Sequence, residues 1–600
     1  FNIPHPHSKL IVTSASMFPQ NRAWACAQQV GGSVLRRRVG AWAWHTSSPK
    51  PNPRGWRVAE AAGVSGTRRY SSTAEHIVSS AVPDIPLPTG NVATYILETT
   101  KRWPTKTALE CAVSGRKYTY GQVVDAVARW GGYLATLGMQ KGDRLAIMML
   151  NCPEYMLVML GAMSVGISVT VINSSYTAGE VCQQLQDSDT SLLVHDDVTE
   201  KVVEAALTLL KKPLRRVTNT DTSPPAGVPN LRSLLQDSSL HLADPIEMSG
   251  TETAFLPYSS GTTGKPKGVD VSHNALCSNT EIFIHPNFLA SKFPTESHHD
   301  TFLCYLPLFH VYGIVPIMMV GLHIGVKVVT VPKFDIKAFV PLIVKHKVTM
   351  VHTVPPVLNF MTQSPDVNPE SMKSVRALLC GAAPVPQPSV KIIKEKTDKS
   401  LFFQEGYGMT EVLITHTTPC GSSNASLCCL PNVKCKVIDV ETGKSLPANE
   451  KGEICLKSPS VMTGYLNNEA ATRATIDEDG WVHSGDIGYY DDNESFNIVD
   501  RIKELIKVKA MQVAPSELEE VILQHPKVKE VGVTGVPHDR FGEAPRAYVV
   551  TSSPTSEKEI HEFLASHVAS HKQLAGGVIF VSELPKTASG KILRRKLREL

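Results

Sequence analysis

Small hydroxyl residues, glycines and two lysines crowd into positions 258–269: Tyr258, Ser259, Ser260, Gly261, Thr262, Thr263, Gly264, Lys265, Pro266, Lys267, Gly268 and Val269. Glycines let a backbone bend sharply and approach a ligand closely. Hydroxyls and successive backbone N–H groups donate hydrogen bonds, and the lysines add positive charge. The combination suits a polyphosphate. It is not a Walker A loop, which needs G-x-x-x-x-G-K-[S/T]: Lys265 is followed by Pro266. The chemistry is therefore that of a nucleotide, outside the P-loop NTPases.

Such a loop needs a scaffold. Residues 121–137 carry apolar side chains at helical spacing and predict a helix, 144–149 a buried strand, 155–165 a helix and 168–172 another strand. The alternation recurs with a strand at 326–331, a helix at 336–346, a strand at 350–354 and a strand at 375–379 stopped by Gly381. Buried strands alternating with helices predict an α/β fold with parallel or mixed sheet and helices on its faces. Residues 218–227 read as a surface loop. After about Gly452 the texture changes to short β-like runs. A helix at 516–524 behind Pro515, strands at 528–536 and 546–550, and a last helical segment ending at 592–597 follow. The expected organisation is a leader over 1–75, a large domain over 76–499 and a small α+β domain over 500–600, since a chain of 600 residues exceeds one core.

Composition narrows the class. At 42% hydrophobic and 19% charged the chain is ordinary for a globular protein, and a net charge of +4 gives no reason to expect nucleic acid. The most apolar stretch, 146–172, is broken by Asn151, Pro153 and Glu154 and falls short of about 20 unbroken apolar residues, the length of a membrane span. The twelve cysteines have no repeated C-x-x-C spacing and read as free thiols of a reducing compartment. No acidic residue precedes Glu60, while Arg22, Arg36, Arg37, Arg38, Arg54 and Arg57 do. An arginine-rich, acid-free leader reads as a mitochondrial transit peptide, with a processing site near Arg68 and Arg69.

Six further motifs follow the glycine-rich loop in order. They are 306–313 around His310, Gly381-Ala382-Ala383-Pro384, Gly406-Tyr407-Gly408-Met409-Thr410-Glu411, His483-Ser484-Gly485-Asp486, 500–507 beginning Asp500-Arg501, and 585–591 ending in Lys591. Together, over roughly residues 90–600, they resemble the adenylate-forming superfamily of acyl-CoA synthetases, 4-coumarate–CoA ligases and firefly luciferase. The resemblance is nearest to the 4-coumarate–CoA ligase-like branch. It implies a ligase that makes acyl-AMP and pyrophosphate from a carboxylic acid and ATP with Mg²⁺, then transfers the acyl group to coenzyme A.

Residue roles follow from the resemblance. Residues 259–265 and Lys267 would hold the phosphates, and Glu411 with Thr262 would hold Mg²⁺. Gly381, Ala382, Ala383 and Pro384 would border the nucleotide together with Gly406, Gly408 and Met409, Tyr407 would lie against adenine, and Thr410 would reach a phosphate oxygen. Asp486 would accept from both ribose hydroxyls, with Arg501 beside ribose and phosphate. His310, Val311, Tyr312, Gly381, Gly406 and Gly408 would line the acyl side, His310 as a gate. Lys503 would be the hinge of the small domain, Lys503, Lys507 and Gln512 would bind the cofactor, and Lys591 would be the catalytic cation. Ala510 after Lys509, Glu405 before Gly406 and Ser174 after Asn173 depart from the family's usual Gly, Gln and Pro. Ala510 bears on the thioester step, because a Cβ there adds bulk and restricts φ. A luciferase-like oxidation of the adenylate and a non-catalytic binding role are the alternatives at this point.

Overall fold

The computed structural model of the chain describes residues 75–259, 266–422, 426–508, 511–587 and 590–600, all within one compact unit, Ser72–Leu600. Two sheets with parallel centres form its bulk. In the first, the strands Arg215–Asn219, Leu192–Asp196, Arg144–Met148, Ser168–Val171 and Thr253–Leu256 run parallel in that spatial order. Antiparallel Lys267–Ser272 and Gly464–Tyr465 continue the sheet. In the second, Lys327–Thr330, Thr301–Cys304, Met350–Thr353, Ala377–Gly381 and Phe402–Met409 are parallel neighbours. Strands buried on both faces account for their near-continuous apolar sequences.

The expected helices form where capping and periodicity place them. Tyr120–Thr136 starts at Thr119, which shares a capping box with Gln122, and buries Tyr120 and Trp130. Pro153–Ser164 is buried along its whole length, so the apolar run at 146–172 is a core helix between the strands Arg144–Met148 and Ser168–Val171. Among the described residues no helix is long and apolar enough to cross a membrane.

Four expectations need correction. Thr218 and Asn219 of the surface loop expected at 218–227 are the buried end of the strand Arg215–Asn219, paired with His195 and Asp196. The strand expected at 375–379 is Ala377–Gly381, because Val375 N–H closes a turn onto Met372. Near 452 a new sheet is already under way: Gly452–Lys457 pairs with Lys434–Ile438 on one side and Val482–Tyr490 on the other. The last helix covers only Arg594–Leu597, since Ile592 bridges Lys586 and Leu593 N–H donates to Pro585. Beyond the segment Ile502–Glu504, the helices Pro515–Ile522 and Glu557–Ala565 pack on a mainly antiparallel sheet, joined in parallel only by Val578–Phe580, with a separate core that includes Ile506, Leu518, Val533 and Leu564.

Candidate active site

The site assembles at the carboxyl ends of the second sheet's strands, where open α/β sheets bind ligands. Gly381 ends its strand and is the register partner of Gly406 on the adjacent parallel strand Phe402–Met409. A Cβ on Gly381 would lie 2.8 Å from the Gly406 carbonyl oxygen, and one on Gly408 would lie 2.0 Å from that of Leu413, so both places demand glycine. Ala382 turns out of the strand at φ +72°, a left-handed conformation rare for a residue with a Cβ. Ala383 is half-buried and Pro384 exposed just beyond it.

Asp486 lies opposite Arg501 on antiparallel strands Val482–Tyr490 and Phe496–Arg501. Its Oδ1 is 2.6 Å from Arg501 Nε, and its Oδ2 accepts from the Tyr407 hydroxyl at 2.8 Å. Burial raises the Asp486 pKa, against the pull of Arg501, and the contact with Asp486 in turn raises that of Arg501 despite burial. An ionised carboxylate offers about four lone-pair positions. Two are used here, which leaves acceptor capacity on each oxygen.

Glu411 is buried, and its Oε1 accepts from the Tyr465 hydroxyl at 2.9 Å. Lys267 Nζ stacks over the Tyr465 ring at 4.2 Å, because their strands are neighbours. The carboxylate expected to hold Mg²⁺ and a lysine of the phosphate loop are thus joined through one tyrosine. The loop springs from a hairpin stem in which Ser259 pairs with Lys267 and Tyr258 with Gly268. Ser260, Gly261, Thr262, Thr263, Gly264 and Lys265 lie outside the described residues, as do Lys509 and Ala510. A single buried carboxylate beside a phosphate loop fits Mg²⁺, which takes one or two carboxylates together with phosphate oxygens and water.

At the other end, His310 follows the strand Thr301–Cys304. Its Nδ1 accepts from Tyr312 N–H at 3.2 Å, which puts the proton of the neutral ring on Nε2. Burial, and after it the Lys591 ammonium, push the imidazole down to about 4. The Tyr312 hydroxyl donates to Leu379 O at 2.9 Å and is 3.3 Å from Thr353 O. Val311 is half-buried between them. Asn151 holds this segment from below, donating to Leu306 O at 2.9 Å and accepting from Leu308 N–H at 2.9 Å. Sequence reading noted Asn151 only as a break in an apolar run, and that break was the available signal. Tyr465 gave none.

Lys591 connects the two ends. Gly590 N–H donates to Thr587 O, Thr587 N–H to Lys591 O, and Lys591 N–H to Thr587 Oγ1 at 2.8, 2.7 and 3.0 Å, so Lys591 is tied to Thr587, and Gly590 faces Pro356 and Val354. Burial and then Arg501 lower the Lys591 pKa, while Glu504 and Asp486 raise it. Its ammonium is therefore within electrostatic reach of Asp486 and Arg501 on one side and of His310 on the other.

The chain belongs to the AMP-binding enzyme family. It matches that family over residues 96–466 and the AMP-binding enzyme C-terminal domain over 517–591. It is 35% identical to 4-coumarate--CoA ligase of Pinus taeda over 534 residues, 87% of this chain and 97% of the relative. It is 36% identical to 4-coumarate--CoA ligase 1 of Petroselinum crispum over 546 residues, 87% and 96% of the two. Among solved structures it is similar to ATP-bound MatB from Rhodopseudomonas palustris, with 28% identity, TM-score 0.76 and coverage of 85% and 98%. A benzoate CoA ligase from Burkholderia xenovorans LB400 gives 26% identity, TM-score 0.76 and coverage of 85% and 99%.

The remaining expected residues divide. Met409 ends the strand Phe402–Met409, and Thr410 begins the turn that carries Glu411. Lys503 is exposed in the segment Ile502–Glu504. Lys507 and Gln512 face each other across a hairpin with both side chains exposed. Among the described residues, no hydrogen bond or ion pair joins either to the Asp486 cluster.

Proposed function

We propose that this chain, an AMP-forming acid–CoA ligase, activates an apolar carboxylic acid, fatty or aryl, at the site spanning His310 to Asp486. The observation that carries the reading is the position of Lys591 between the nucleotide end and the acyl end. Attack of a carboxylate on the ATP α-phosphate brings two anions together. A cation fixed at that point, in a site with little water, stabilises the charge of the transition state more than that of the separated reactants.

The other residues hold the reactants. Asp486, already oriented by Tyr407 and Arg501, accepts from the ribose hydroxyls with its free lone pairs. Gly381, Gly406 and Gly408 let the nucleotide lie against bare backbone. Lys267 and the loop ahead of it take the β- and γ-phosphates, which leave as pyrophosphate. Glu411 with Thr262 would hold Mg²⁺, which would supply positive charge against the phosphates. His310 stays neutral at physiological pH, so it carries no charge into the acyl side as the acid enters or the CoA thiol arrives. Lys503, exposed where few contacts must break, is the pivot for the turn of the small domain between the two steps.

The test is acid-dependent ATP–pyrophosphate exchange across fatty and aryl acids, followed by thioester formation with CoA. No exchange with any acid would overturn the reading, and exchange without thioester would point to Ala510. We also propose import into mitochondria on the acid-free, arginine-rich composition of residues 1–59. N-terminal sequencing of the mature protein checks it, and recovery of residues 20–60 would contradict it.

A further inference from the structure

His483 opens the motif that ends in Asp486, yet the reaction gives it no task. Its surroundings do. Glu453 and Cys455 lie two apart on Gly452–Lys457, and Cys455 is the register partner of His483 on the neighbouring strand. His483 Nδ1 is 3.0 Å from Glu453 Oε2 and 3.7 Å from Cys455 Sγ. The three donor atoms all lie within 4.8 Å of one another. We propose that Glu453, Cys455 and His483 form a binding site for a thiophilic divalent cation, zinc above all.

The spacing supports this. Zinc bonds of about 2.0–2.3 Å to N, O and S in tetrahedral array put the donors about 3.4–3.6 Å apart. The two separations from His483 Nδ1, 3.0 Å to Glu453 and 3.7 Å to Cys455, differ from that by a few tenths of an ångström, and Glu453 Oε2 and Cys455 Sγ lie within 4.8 Å of each other. The supports are also in place. Asp477 Oδ2 lies 3.6 Å from His483 Nε2, the ring nitrogen facing away from the site, and Asp477 is itself held by Trp481 N–H on Oδ1 at 2.8 Å. A carboxylate behind a ligating imidazole orients the ring and strengthens it as a ligand. Glu453 Oε1 accepts from Gly485 N–H at 3.0 Å, which leaves Oε2 for the ion. Cys455 is buried while His483 keeps 31% of its side chain exposed, so an ion has a way in. The nearby Lys436 ammonium is engaged by Glu75 at 3.0 Å and the Trp481 ring at 4.5 Å. Three protein donors leave the fourth position to water. Mg²⁺, which prefers oxygen, does not suit a thiolate and an imidazole. Cysteine spacing along the sequence could not reveal the site, because its ligands meet only through strand pairing.

The test is titration of the full, reduced chain with Co²⁺, reading the thiolate-to-cobalt charge-transfer band, then displacement by Zn²⁺. The expected result is a band saturating at one equivalent that is lost in both Cys455→Ser and His483→Gln, with native circular dichroism confirming the fold. Asp477→Asn weakens binding about 10- to 100-fold. If Cys455→Ser fails to fold, His483→Gln decides. No band, or an unchanged band in the folded variants, as binding at Cys428, Cys429 and Cys435 would give, overturns the site and leaves a His483–Glu453 ion pair.

Discussion

Gly590→Ala separates the two half-reactions. Gly590 has φ +83°, and an added Cβ would sit 3.1 Å from Pro356 Cγ and 3.6 Å from Val354 Cγ2. The left-handed backbone costs about 1–2 kcal/mol for a residue with a Cβ, and the loop pays this wherever the small domain stands. The Pro356 contact is different. Pro356 lies in the first turn of the helix Pro355–Gln363 and cannot yield as a flexible side chain does. Overpacking of this kind costs about 1–3 kcal/mol, and only while Lys591 is docked. The adenylation rate should therefore fall about 5- to 160-fold, at 1.36 kcal/mol per decade. Thioester formation from a supplied acyl-adenylate should change little, because the proposed turn of the small domain would carry Gly590 away from Pro356. The assay is ATP–pyrophosphate exchange beside single-turnover thioester formation. Equal loss in both halves, or none in exchange, would refute the docking argument.

Three other substitutions probe the supports. Tyr407→Phe removes a half-buried donor to a carboxylate, worth about 1.5–3 kcal/mol, and should raise the KM for ATP about tenfold or more with less change in the KM for the acid; an unchanged ATP KM would contradict it. Glu405→Gln tests a carboxyl that burial pushes up to about 8. Since the folded pKa exceeds the unfolded one, wild type loses stability relative to the variant as pH rises from about 4.5 to about 8 and no further, so urea unfolding across that window should diverge, and parallel curves would contradict it. Asn151→Ala leaves Leu308 N–H unpaired and Leu306 O with only the weak Cys304 thiol donor at a buried site, and should cost about 1–3 kcal/mol of stability and raise the acid KM, with thermal unfolding and steady-state kinetics as the checks.

Much of this was legible in the sequence where local rules govern. The helix at Ile336–His346 begins at Asp335, which caps it, and Lys347 ends it in a left-handed turn, so periodicity and capping suffice. The glycine-rich motifs were legible because only glycine fits where a Cβ would strike a neighbouring carbonyl. What escaped was set by pairing between distant segments. Tyr407 was read as a face for adenine, and its hydroxyl's bond to Asp486 depends on two different sheets meeting. Pro316 lies inside the buried helical turn Gly313–Met319, a place that proline's propensity argues against and burial imposes. The strand at Ala377–Gly381 slipped two residues from expectation because a turn, not apolarity, sets where pairing begins.

The most direct measurement of the central claim is acid-dependent ATP–pyrophosphate exchange in Lys591→Ala beside wild type, with ATP binding measured in both. The account predicts a fall of about 100-fold or more in exchange, the loss typical of a key electrostatic stabiliser, with ATP still bound. Exchange at the wild-type rate would contradict it.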